Sequence, residues 1–123
     1  MIIYGREYKF FLTIGASVEI AELCPGGDIK RIGEVLNTEK PLGENIGVIS
    51  GIVCALSKGA EVKKAFENVG YVPEPITKEI SYSLDNNTYN ELVSEAFAAY
   101  IGGKQTSVEV EPEPAKNAAA AVE

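Results

Sequence analysis

The stretch Gly43-Glu44-Asn45-Ile46-Gly47-Val48-Ile49-Ser50-Gly51-Ile52-Val53-Cys54-Ala55-Leu56-Ser57-Lys58 decides the fold, because it looks the most buried of any segment. Wound at about 100° per residue, it gathers Gly43, Gly47, Ser50, Gly51 and Cys54 on one narrow strip. Ile46, Val48, Ile49, Ile52, Val53, Ala55 and Leu56 fill the wide remaining arc. Each glycine inside a helix costs about 1 kcal/mol relative to alanine. Such a strip persists only where another backbone comes close enough to gain contact. A helix of the same chain or a second subunit could supply that backbone. A membrane-spanning G-x-x-x-G helix is a third idea, but the apolar run Ile46–Leu56 falls well short of the roughly 20 residues a span needs.

On the N-terminal side, residues 2–14 read as a β-hairpin. Tyr8, Phe10, Leu12 and Ile14 alternate with Lys9, Phe11 and Thr13, the mark of a half-buried strand. Gly5-Arg6 is the expected two-residue loop, with Gly supplying φ > 0 at the first position of a type II′ turn. A lone hairpin is marginal in water, so its apolar face must pack on something. A short helix is expected from Ser17, as N-cap, to Cys24, with Val18, Ile20, Ala21, Leu23 and Cys24 inward and Pro25-Gly26-Gly27 stopping it. Asp28 then caps a helix of two to three turns that turns Ile29, Ile32, Val35 and Leu36 inward, opposite Lys30, Arg31 and Glu34.

On the C-terminal side, Gly59 is expected to break the central helix. A fourth helix then turns Val62, Ala65, Phe66 and Val69 inward, with Glu61, Lys63, Lys64 and Glu67 outside and Gly70 closing it. Pro73-Glu74-Pro75 makes a stiff connector. Ile76, Ile80 and Leu84 fit a helix opened by Thr77, whereas Ile80, Tyr82 and Leu84 fit a strand; the helical turn is the preferred reading. Thr88 and Glu91, at capping-box spacing, open a last helix with Tyr89, Leu92, Val93, Ala96, Phe97, Tyr100 and Ile101 in one stripe, ended by Gly102-Gly103. Burial of Leu92, Val93 and Phe97 at roughly 1.5–3 kcal/mol each would offset the cost of ordering it. Ser107-Val108-Glu109-Val110-Glu111 alternates like a strand that could extend the hairpin edge, in the same chain or another.

The expected fold is therefore α+β and mostly α-helical, with an N-terminal β-hairpin, four to five short helices and a possible short C-terminal strand. One domain covers 1–103, and an acidic, Ala/Pro-rich tail covers 104–123.

The parts that catalysis usually needs are missing. With no His, the Ser-His-Asp and Cys-His arrangements and His-bearing zinc sites are excluded. Cys24 and Cys54 cannot make a four-cysteine site. In an extracellular chain they could form a disulfide, but two reduced, partly buried thiols of a cytosolic protein is the preferred reading. Cys24 falls at a helix C-terminus, the wrong end for an activated thiolate. Gly26-Gly27-Asp28 lacks the flanking pattern of a phosphate loop. Glu19/Glu22 and Glu91/Glu95 read as solvated helix faces, and Asp85-Asn86-Asn87 as a turn rather than a calcium loop. No catalytic, cofactor or metal site is expected, and the chain reads as no enzyme. A net charge of −7 disfavours nucleic acid. Met1-Ile2-Ile3-Tyr4 is too short for a secretion signal, so a soluble cytoplasmic protein is expected, with no membrane partner.

Taken in order, several segments carry a resemblance: the opening Tyr4-Gly5-Arg6-Glu7-Tyr8-Lys9-Phe10, Thr13 with the Ser17–Leu23 helix, and the joint Leu56-Ser57-Lys58-Gly59-Ala60-Glu61. Pro75-Ile76-Thr77-Lys78-Glu79-Ile80, the terminal amphipathic helix and Val108-Glu109-Val110-Glu111 complete it. The layout resembles the tail assembly chaperones of long-tailed bacteriophages and prophages. The resemblance covers nearly the full chain through order and pattern. It implies a small acidic non-enzymatic protein of the host cytoplasm that coats the tape measure protein and recruits tail tube protein subunits. The tape measure's long apolar helical faces would aggregate if bare. A chaperone should accordingly offer an apolar groove between helices with a negative rim that limits self-association. The family fixes no motif from which partner-binding residues carry over. Its members often have a more charged middle than Ile46–Leu56, which is here either the core or the groove itself. A homo-oligomer remains possible. The alternatives are a structural tail or connector subunit of a phage, or a small bacterial regulatory adaptor.

Overall fold

The computed structural model describes residues 1–35 and 42–110, with side chains over 1–35 and 45–103. Two strands form the N-terminal hairpin: β1 (Ile2–Ile3) and β2 (Arg6–Glu7), with Ile3 opposite Arg6. The loop is Tyr4-Gly5 rather than Gly5-Arg6. Both residues have positive φ, 51° and 78°, so the turn is type I′ and not II′. Gly5 takes that conformation freely. Tyr4, bulky for it, shares a 2.7 Å hydrogen bond between its Oη and Ser83 Oγ.

Residues 8–13 continue as an extended strap with no strand partner among the described residues. The alternation nevertheless holds. Tyr8 is buried, Phe10 and Leu12 pack on the core, and Lys9 and Phe11 face out. Ile14 leaves the pattern because it begins α1 (Ile14–Leu23). Thr13, not Ser17, is the N-cap: its Oγ1 accepts the Ala16 N–H at 3.0 Å, and Ser17 Oγ donates back to the Thr13 carbonyl. Ala16 and Ile20 are buried, whereas Val18, expected inside, is exposed. Cys24 and the Pro25–Gly27 turn stop the helix as expected. Asp28 caps a 3-10 turn, Ile29–Arg31, and only one α-helical turn, α2 (Ile32–Val35), follows. Leu36 lies outside the described residues.

The central element is α3 (Leu42–Glu67), one helix of 26 residues. Gly59 does not break it, so the expected third and fourth helices are a single rod. The reason is the strap. A Cβ on Gly59 would run into the Phe11 carbonyl oxygen and come within 3.1 Å of Thr13 Oγ1, so only glycine admits this crossing. The Phe11 N–H donates to the Leu56 carbonyl at 3.1 Å in the same place. On the glycine strip itself no backbone comes close at Gly47 or Gly51: Gly51 is covered by the Leu23 side chain of α1, and Gly47 meets only the Tyr82 hydroxyl. Ile52, Val53 and Leu56 are fully buried, and so are Ser50 and Ser57, whose hydroxyls meet Tyr89 Oη and the Ile76 N–H at 2.8 Å. Asn45–Glu67 is long and apolar enough to cross a membrane by length and composition, so the shortness of Ile46–Leu56 does not decide that point. Much of its apolar surface, however, already packs within the fold, where α1 and α5 lie against α3.

Gly70, at φ 90°, ends the turn after α3. The 71–77 connector leads to α4 (Lys78–Tyr82), where Thr77 Oγ1 accepts the Ile80 N–H, the helical reading of this segment. The last helix, α5 (Asn86–Val110), is capped by Asp85, not Thr88: Asp85 Oδ1 accepts the Thr88 N–H at 2.8 Å. Leu92, Ala96 and Tyr100 of the stripe are buried, and Ile101 is exposed. Gly102-Gly103 do not end the helix. Gly103 instead lies against Leu12, and the backbone stays helical to Val110, where a C-terminal strand was expected. The tail from 111 to 123 lies outside the described residues. The result is a mostly helical fold with a hairpin and five helices, two of them long rather than short.

Candidate partner-binding surface

Beyond Gly59 the expected faces hold at Val62 and Ala65, half-buried, and at Lys63, Lys64 and Glu67, exposed, but fail at three positions. Glu61, expected outside, is 6% exposed, while Phe66 and Val69, expected inside, are 87% and 106% exposed. Glu61 turns inward because three donors converge on its Oε1. The Tyr71 hydroxyl donates at 2.6 Å, the Glu74 N–H at 2.9 Å and Arg6 Nη2 at 3.3 Å. Arg6 also reaches the Glu74 carboxylate at 2.8 Å and lies over the Tyr8 ring. Burial pushes the Glu61 carboxyl up, but the donors outweigh it and hold it below the usual carboxylate range. The same hydrogen bond pushes the Tyr71 hydroxyl up. This knot ties hairpin, helix and connector together. Five residues on, about 140° around the helix, Phe66 is carried to the opposite side.

Phe66 stands over a trough between the start of α1 and this half of α3. Its main hollow, about 550 Å³, is lined by Phe11, Ile14, Val62 and Phe66 and is almost wholly apolar. Past Thr13, Gly15 and Val62 it narrows to a cleft of about 120 Å³ at Glu19, Ala55 and Lys58. Past Phe11, Lys63 and Glu67 it meets a mixed hollow of about 320 Å³ that reaches Glu7 and Lys9. From Ala55 to Phe66 the trough follows roughly 16 Å of α3, about three turns. Ile14, on the facing helix, is 83% exposed. Large apolar side chains gathered in a concave strip mark an interaction surface more than scattered ones do.

The walls are not negative, contrary to the expected rim. Glu7, Glu19, Glu61 and Glu67 are matched in number by Lys9, Lys58, Lys63 and Lys64. Lys58 pairs with Glu19 at 2.9 Å, and Lys63 pairs with Glu67 while covering the Phe11 ring. The chain's −7 is therefore carried by the rest of the sequence.

Residues singled out in the sequence are dispersed. Ile46–Leu56 is mainly core, since Ile52, Val53 and Leu56 have no exposed surface, and it gives the trough only Ala55. Cys24 and Cys54 are free thiols, both pushed up by burial, and Cys24 Sγ donates to the Ile20 carbonyl. Glu19 is engaged with Lys58, and Asp85 is a helix cap. Among the described residues, no three His, Cys, Asp or Glu side chains are grouped to hold a metal ion. The exposed Phe11, Ile14 and Phe66 were read as parts of the hairpin and of a buried helix face, not as an exposed surface. Phe11 alone carried a signal, as an aromatic residue at an outward position of an alternating run. Comparison with family models, curated proteins and solved structures finds no match to this chain.

Proposed function

We propose that this protein is a non-enzymatic assembly chaperone that shelters an apolar helical face of a client. The observation that carries the reading is Phe66, almost fully exposed over an apolar trough between two helices. Concave apolar strips of this kind take amphipathic helices. The resemblance to phage tail assembly chaperones supplies the client, the tape measure protein, and the later partner, the tail tube protein, both met in the host cytoplasm. Energetics suit a temporary cover. Burying Phe66 and Ile14 would contribute roughly 3–6 kcal/mol before the cost of association. One trough alone would hold weakly and release readily, as a temporary cover requires.

Co-expression with the candidate tape measure protein is the test. The client should stay soluble with this chain and precipitate with the Phe66→Ser variant. A client equally insoluble with and without the chain would remove the proposal. A stable ring formed by this chain alone would point instead to a structural tail or connector subunit.

A further inference from the structure

We infer that residues 62–75 form a clasped unit that opens by itself, ahead of the core, when the Glu61 carboxylate loses its charge. The clasp would act in this way whether or not the trough takes a client. Val62 and Phe66 belong to the unit, so the α3 wall of the trough stands only while the clasp is closed.

Burial sets the limits of the unit. Between Glu61, 6% exposed, and Ile76, 2% exposed, no side chain is buried. Val62 and Ala65 are half-buried, and Phe66, Val69 and Val72 are exposed. A stretch so poor in buried apolar contact opens at a lower free energy than a core. Much of its own bonding is internal: Lys63 with Glu67, Asn68 Nδ2 with the Lys64 carbonyl, and Lys64 over the Tyr71 ring. Lys63 also reaches the Phe11 ring, but at the surface. The far end is tied to the fold by the clasp. The Tyr71 hydroxyl and the Glu74 N–H both donate to Glu61 Oε1, and Arg6 joins Glu61 to the Glu74 carboxylate from the hairpin. A single carboxylate oxygen thus closes the turn from α3 back to the connector.

Because the bonds converge on one oxygen, they weaken together. Glu61 is faced by Arg6 from the hairpin, by Lys64 from α3, and by Tyr71 and the Glu74 N–H from the connector. Tyr8 of the strap and the Glu74 carboxylate act on Arg6 in turn. Glu7, Lys9, Lys63 and Glu67 border the hollow beside them. Arg6 and Lys64 favour the charged carboxylate. A protonated Glu61 keeps hydrogen bonds only about half as strong, and Arg6 is left with Glu74, a solvent-exposed pair that contributes little. The core does not share this dependence, since Ile52, Val53 and Leu56 are buried where α1 and α5 lie against α3.

The test is amide hydrogen exchange of the full chain, read residue by residue by NMR from about pH 7 down to about pH 3 and corrected for the intrinsic rate. At neutral pH the Glu74 amide should be protected, yet exchange at least about tenfold faster than the amides of Ile52 to Leu56. In acid its protection and that of the last turn of α3 should disappear while Ile52 to Leu56 stay protected. Glu61→Gln should speed the Glu74 amide about tenfold to a hundredfold at neutral pH and flatten its pH dependence. Tyr71→Phe, which removes one donor, should fall between wild type and Glu61→Gln. Glu74→Gln keeps both the backbone donor and the Glu61 oxygen, and should change the rate less than about fivefold. Loss of protection at Glu74 and at Ile52 to Leu56 over the same pH interval would overturn the inference. So would an unprotected Glu74 amide at neutral pH, or an unchanged rate in Glu61→Gln. If Glu61→Gln does not fold, the acid series on the wild-type chain decides alone.

Discussion

The two halves of α3 share one helix and one period, and they bury opposite kinds of residue. Up to Ser57, apolar side chains point in, and the two buried serines each have a partner. From Glu61 onward a carboxylate points in and Phe66 points out. An apolar stripe therefore reports that a face exists, not where it goes. Its destination depends on what stands opposite. Helices α1 and α5 offer the first half apolar neighbours. Arg6, Tyr71 and the Glu74 N–H offer the second half polar ones, and a rod that turns Glu61 inward must turn Phe66 outward.

The hardest blow to this contrast falls on the first half. Leu56→Ala should cost about 3 kcal/mol in urea denaturation, since the side chain is fully buried. A loss below about 1 kcal/mol would mean the core lies elsewhere. In the second half, Glu61→Gln should cost about 2 kcal/mol at neutral pH by weakening charge-assisted hydrogen bonds. The pH dependence has a definite sign. Glu61 titrates lower in the folded chain than its ordinary 4.5, so its contribution is complete above that value and fades as pH falls through the folded pKa. Wild type and Glu61→Gln should converge in acid; a gap that widens there would refute the knot.

Two glycines sharpen the comparison at smaller scale. Gly59→Ala should lower stability by about 1–2 kcal/mol despite better helix propensity, because the strap's backbone cannot yield. Gly47→Ala meets only Tyr82 Oη at 3.9 Å and should raise stability by up to about 1 kcal/mol. Thermal melts with the same sign for both would undo the close-approach account. The smallest effect belongs to Phe66→Ser, expected within about 0.5 kcal/mol of wild type because the ring is almost wholly exposed. A loss above about 1.5 kcal/mol would show that Phe66 serves the fold.

Legibility in the sequence follows the same divide. The buried centre, the turn opened by Thr77, the stop after Cys24 and the stripe through Leu92, Ala96 and Tyr100 were readable, because local pattern and final environment agree. The glycine strip promised a close backbone, but Gly47 and Gly51 meet only the side chains of Tyr82 and Leu23; the close backbone is the strap, at Gly59, which was expected to break the helix. Glu61 was misread since its partners stand 55 positions upstream and 10 to 13 downstream, and Phe66 was misread with it because both sit on one rigid helix. Helix ends failed similarly. Thr13 and Asp85 cap where Ser17 and Thr88 have the commoner signature, and Gly103 is held in its helix by Leu12.

The strap over Gly59 also sets a schedule for synthesis. Its seat is some 47 positions later in the chain than Leu12. At roughly 5–20 residues per second the ribosome takes several seconds to deliver that seat, during which Phe10 and Leu12 have nothing to rest on. Slower translation through the codons for Ile46 to Glu61 would lengthen that bare interval and raise the share of nascent chains lost to aggregation.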